Sequence, residues 1–119
     1  MIALATLRDL PLIGILRGFT CDQLPEILSA AADGGLRNLE ITMNSPEAAA
    51  QIRLARQLAG GRLSVGAGTV TSMQLLRTAL DAGAMFIVTP ALNREVVAEC
   101  VRQKIPVCPG AASRRHAER

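Results

Sequence analysis

A chain of 119 residues, half of them apolar, holds enough material for one packed core, but with two Phe and no Trp or Tyr it has no platform for stacking nucleic-acid bases. Its formal charge is +3, of which Ser113 to Arg119 supply +2, so the body is nearly neutral and the high pI does not report a basic nucleic-acid-binding face. No apolar run reaches the roughly 18 residues that a membrane span needs, and the apolar stretch within 1–16 is interrupted by Arg8 and Asp9 with no small-residue cleavage site after it, which argues against a signal peptide.

Along the chain, a first β-prone run at 12–16 (LIGIL) precedes helical periodicity near 22–33. Pro25 fits that helix only if it opens near Asp22. Gly34 and Gly35 then offer the left-handed residue that ends a helix, before a second run at 37–42 (RNLEIT). Ser45-Pro46 reads as an N-cap followed by proline at the first helical position, opening a helix over 46–59 that Gly60-Gly61 closes. A third run at 62–67 (RLSVGA) leads to Thr71-Ser72-Met73-Gln74, which fits a capping box for a helix over 72–82 closed by Gly83. The run 84–89 (AMFIVT), an Asn93 cap, a helix over 93–103 and a last run at 105–108 (IPVC) complete the pattern.

The strand starts recur every 21 to 25 residues, and strands alternating with helices of this length imply parallel β/α units. Five strands and four helices suit either an open doubly wound sheet or part of a (β/α)8 barrel, whose complete form takes roughly 200–250 residues. After Cys108-Pro109-Gly110-Ala111-Ala112 the pattern breaks into a stretch with no apolar stripe. The expectation is an α/β fold with one domain of parallel β/α units over 1–112, which spacing leaves open between a doubly wound sheet and a partial barrel, and a basic tail over 113–119 that is either a ragged terminus or, as favoured, the mark of a natural chain that continues beyond 112.

In parallel β/α folds, ligands gather at the C-terminal ends of the strands. Here those ends carry Arg17-Gly18, Glu40 with Thr42-Met43-Asn44-Ser45, Gly66-Ala67-Gly68-Thr69, Thr89-Pro90 and Pro109-Gly110. Glu40 sits between Leu39 and Ile41 in an apolar run; a carboxyl kept partly dry there would have a raised pKa and suit proton transfer, although a salt-bridged carboxylate near a strand end has the same local sequence. Arg17 suits a carboxylate or phosphate, or is a solvated loop arginine. The Gly-Ala-Gly-Thr run admits a ligand close to the backbone, or is simply a tight turn; it is neither a dinucleotide fingerprint, since Thr71 stands where the third glycine belongs, nor a Walker loop. Cys21, Cys100 and Cys108 form no C-x-x-C, and the lone His116 has no partner cluster, so reduced thiols in a cytoplasmic protein are expected, without a disulfide frame or a metal site.

The segments PLIGILRG (11–18), LEITMNSP (39–46), VGAGTV (65–70), FIVTPALN (86–93) and IPVCPGAAS (105–113) occur in the order and spacing of the 2-keto-3-deoxy-6-phosphogluconate and phosphogalactonate aldolases. The chain resembles that family over about residues 8–113, and the MNSP segment is more similar to the phosphogalactonate branch. The resemblance implies a trimeric (β/α)8 barrel and a class I aldolase that needs neither metal nor cofactor. In such an enzyme a lysine amine forms a Schiff base with the substrate ketone, and cleavage of the C3–C4 bond gives pyruvate and a triose phosphate. By resemblance, the proton-shuttling glutamate is Glu40, the substrate-holding arginine is Arg17, the threonine that contacts the pyruvate part is Thr69, and Thr89 and Pro90 wall the pocket.

The Schiff-base lysine of that family belongs to a sixth strand, beyond the segments matched here. The one lysine, Lys104, stands before the fifth strand, at the N-terminal rim, and a five-residue strand at roughly 3.3 Å per residue separates it from the ligand end by ~16 Å. The expectation is therefore an aldolase by descent that ends before its Schiff-base lysine. The alternatives are a catalytically inactive half-barrel or an assembly piece, and, more remotely, a sugar-phosphate isomerase or epimerase on a similar barrel.

Overall fold

The computed structural model describes residues 2–110. Five parallel strands form one sheet in chain order: β1 (Gly14–Leu16), β2 (Asn38–Thr42), β3 (Ser64–Gly68), β4 (Ile87–Thr89) and β5 (Val107–Pro109). Between them run α2 (Leu24–Asp33), entered through a 3-10 turn at Cys21–Gln23, then α3 (Ala48–Ala59), α4 (Met73–Ala82) and α5 (Arg94–Arg102). A doubly wound sheet reverses its strand order at a switch point. This sheet never does, so it is an arc of a barrel. The arc is curled: Pro11 and Ile13 ahead of β1 line one apolar groove with Pro106, Val107 and Cys108 at the opposite flank.

Side-chain alternation along the strands divides the two faces of the arc. Leu39, Ile41, Val65, Ala67 and Ile87 turn outward and are buried against the helices. The helices meet them with stripes at helical spacing: Leu24 and Leu28 of α2, Ile52, Ala55 and Ala59 of α3, Leu76 and Ala79 of α4, Val96 and Cys100 of α5. Each fully buried Leu, Ile or Val contributes about 1.5–3 kcal/mol. Asn38, Glu40, Gly66, Gly68 and Phe86 take the alternate positions and face inward. Gly66 is required there, because a Cβ on it would overlap the Phe86 ring.

Three features depart from the sequence reading. A helix with no predicted counterpart, α1 (Ile2–Asp9), precedes β1 and packs across β2 and β3. Asn38 holds it: the side-chain amide nitrogen of this buried residue lies within 3.3 Å of the Thr6, Leu10 and Leu12 carbonyls, and its oxygen accepts from the Thr6 hydroxyl at 2.7 Å. Second, Ser45 does not cap α3. That helix opens two residues later at Ala48, after Glu47 in a left-handed conformation (φ 51°), because the Ser45 hydroxyl is engaged elsewhere. Third, the cap of α4 is Ser72 rather than Thr71, with its hydroxyl accepting from the Leu75 amide at 3.1 Å. Asn93 caps α5 as expected, and Pro25 sits in the first turn of α2, which the preceding 3-10 turn makes possible. The expected tail over 113–119 and His116 lie outside the described residues, and no helix among those described is long and apolar enough to cross a membrane.

Candidate active site

Glu40 occupies the middle of β2, in register with Ile15 on β1 and Gly66 on β3. It is 4 % exposed. Its carboxyl leans over β3, where a Cβ on Gly68 would overlap Oε1; glycine at 68 is what leaves room for the acid. Burial pushes the Glu40 carboxyl above its ordinary range, and the Arg17 guanidinium partly opposes that rise. On β5, the Cys108 thiol is raised by partial desolvation and then by the charge of Glu40. Groups from β1, β2, β3 and β5 thus share one concave space.

Arg17 follows β1 directly and is exposed. Its Nη2 donates to the Thr69 hydroxyl at 3.4 Å, a long hydrogen bond that leaves the guanidinium free to turn toward a ligand. Thr69 follows β3 with φ 55°, and a β-branched residue in the left-handed region is an outlier that costs about 1–3 kcal/mol. The outcome is a graded site: a cation and a hydroxyl at the mouth, an acid deeper in. Such an arrangement can bind an anionic group at Arg17 and Thr69 while Glu40 exchanges a proton with the atoms beyond it.

The structure brings Arg17, Glu40 and Thr69 together and places Pro90 at the same rim of the sheet, just past β4 and two strands from Glu40. Pro90 is exposed past the end of β4, with its carbonyl close against Gly110, and the buried Thr89 hydroxyl is turned to the Ala91 carbonyl at 2.7 Å. Lys104 lies in the turn between α5 and β5, with φ 59°, at the opposite rim from Arg17 and Thr69. Among the described residues, no group of three or more His, Cys, Asp or Glu is placed to hold a metal ion.

Sequence reasoning missed Gly68 as the partner of Glu40 and Cys108 as a member of the concave face. The signal for Gly68 was present: its alternation puts it on the face of Gly66 and, through the parallel register, beside the acid. Cys108 carried none, since its approach to Glu40 depends on how far the sheet curls.

The family model for KDPG and KHG aldolase matches residues 4–118. The chain belongs to this aldolase family. Over 104 residues it is 36 % identical to the 2-dehydro-3-deoxy-6-phosphogalactonate aldolase of Escherichia coli K12, a match covering 87 % of this chain and 51 % of that enzyme. Over 117 residues it is 37 % identical to the 2-dehydro-3-deoxy-phosphogluconate aldolase of Treponema pallidum, covering 98 % and 54 %. The chain therefore spans about half the length of these curated relatives. Among solved structures, the 2-keto-3-deoxy-6-phosphogluconate aldolase of Zymomonas mobilis superposes with a TM-score of 0.85 at 30 % identity, over 96 % of this chain and 54 % of that one. The KDPG aldolase of Legionella pneumophila, solved with pyruvate captured at low pH as a covalent carbinolamine intermediate, gives 0.81 at 27 % identity over 96 % and 55 %. The homologues are thus aldolases, which are lyases.

Proposed function

We propose that these residues form the proton-transfer side of a class I aldolase pocket, with Glu40 as the acid and base, Arg17 and Thr69 as holders of the 2-oxo acid end of the substrate, and Pro90 as part of the wall. The observation that carries this reading is the buried Glu40, its carboxyl pushed above the ordinary range by burial, near an arginine that contacts a threonine at the ligand end of parallel strands. The carbinolamine of the Legionella relative supports amine chemistry at the ketone. In the proposed reaction a primary amine adds to C2 and water leaves. The C4 hydroxyl proton passes to Glu40 as the C3–C4 electron pair flows into the iminium. Glu40 then returns a proton to C3, and hydrolysis frees pyruvate.

The proposed substrate is 2-dehydro-3-deoxy-6-phosphogalactonate, giving pyruvate and glyceraldehyde 3-phosphate without a cofactor. The Met43-Asn44-Ser45-Pro46 segment and the identity to the Escherichia coli enzyme support that choice. The working form is taken to be a cytoplasmic homo-oligomer, following the family resemblance. A second reading, an inactive half-barrel or assembly piece, draws on Leu12 and Ile15, each 60 % exposed at the open flank of the sheet. Pyruvate release by a full-length protein carrying this segment separates the two. The galacto substrate is cleaved faster than the gluco epimer, and Glu40→Gln lowers kcat by roughly 10²–10⁴-fold; no cleavage of either substrate favours the second reading.

A further inference from the structure

The Ser45 hydroxyl, released from helix capping, is spent on the far side of β2. The Gly18 amide donates to Ser45 Oγ at 2.9 Å, Ser45 Oγ and Thr42 Oγ1 lie 2.8 Å apart, and Thr42 Oγ1 donates to the Leu16 carbonyl at 3.4 Å. Either hydroxyl can donate in the Ser45–Thr42 pair, and when the Thr42 proton is on Leu16 the Ser45 proton goes to Thr42. The three contacts form one continuous chain. It runs from the amide after Arg17, through two buried hydroxyls, to the carbonyl before Arg17. A third buried side chain extends the grip: Gln51 Nε2 donates to the Phe19 carbonyl at 2.6 Å and to Pro46 at 2.7 Å.

We infer that Ser45 is a positioning residue for Arg17: through Thr42 and the Gly18 amide it closes a clamp on both backbone flanks of the arginine and thereby fixes where the guanidinium meets the bound oxo acid. Arg17 itself is exposed and its hydrogen bond to Thr69 is long, so its side chain holds the turn weakly. Gly18 at φ 78° leaves the turn without a side chain of its own to pack, so beyond the β1–β2 ladder that ends at Leu16 the clamp is what ties the turn to β2. Buried hydroxyls that are fully paired rigidify the segment they join. The ligand part of this inference rests on the aldolase reading; the clamp does not.

The test uses the 119-residue chain with Ser45→Ala, which removes the clamp, and Ser45→Thr, which keeps the hydroxyl. The charged group shown to act on the Glu40 carboxyl is Arg17 of the turn after β1, which lowers its titration; the Cys108 thiol of β5, itself raised by Glu40, shares the same face. Carbon-detected NMR titration of Glu40 then reads the arginine's position. Freed from the clamp, Arg17 spends less time near the acid, and the Glu40 titration moves to higher pH in S45A. It stays in place in S45T, and in an Arg17→Leu background S45A adds nothing. A merely structural role for Ser45 would loosen packing and admit water, moving the titration toward the ordinary value; that result, or no movement, overturns the inference. Pyruvate titrated into the same samples weakens about tenfold in S45A and recovers in S45T. If the carboxyl responds as described while the unsubstituted chain shows no pyruvate-dependent shifts, the clamp stands and the aldolase reading is what fails.

Discussion

Gly68 lies against the carboxyl of Glu40, so close that a single methyl on the glycine would overlap Oε1. The acid's dry niche is a space defined by a missing side chain on the neighbouring strand, not by a partner that binds it. Gly68→Ala forces Glu40 outward, toward water. Overpacking of this kind costs about 1–3 kcal/mol, and a hydrated carboxyl returns toward its ordinary titration range. Urea unfolding together with NMR titration of Glu40 checks both effects. An alanine variant as stable as its parent, with Glu40 still titrating high, would mean that the niche is not where the structure puts it.

The raised pKa of Glu40 also carries a stability signature. Folding holds the proton more tightly than the unfolded chain does, so stability is full below the unfolded value near 4.5 and falls as pH rises from there through the higher folded value. Glu40→Gln removes that slope: the variant loses less stability than the parent over this window and is the more stable of the two above it. Part-buried Glu99 does not confuse the comparison. Hydrogen bonds from Arg102 and then Gln103 hold it at about 2, below the window in which Glu40 acts. Denaturation midpoints of parent and variant measured across pH 4–8 show the difference directly.

The β/α alternation was legible because each strand is a short apolar run between glycine-terminated helices, a pattern written in neighbouring residues. The cap of α5 at Asn93 was legible for the same reason. What escaped was what depends on residues far apart in the chain. Helix α1 has weak local signals, with Arg8 and Asp9 breaking its apolar stretch; its docking depends on Asn38, 28 to 32 residues away from the α1-side groups it binds. Ser45 carries every local mark of an N-cap, yet the Gly18 amide, 27 residues away past β1, claims its hydroxyl together with nearby Thr42. Arg17, Glu40 and Thr69 were singled out one strand end at a time, with family resemblance supplying their roles. Their convergence needed the strand order, which spacing alone left open between a barrel arc and a doubly wound sheet.

The central claim concerns ends: acid, arginine and threonine gather at one rim of the sheet, and the sole lysine of the chain, Lys104, stands at the other. The most direct measurement is incubation of the 119-residue chain with pyruvate and borohydride, followed by intact mass and peptide mapping. A reduced Schiff base would leave a 1-carboxyethyl group on the amine and persist through digestion. The account predicts no adduct on Lys104, with or without Glu40. A stoichiometric adduct on Lys104 that Glu40→Gln abolishes would place the amine beside the acid and contradict the arrangement described.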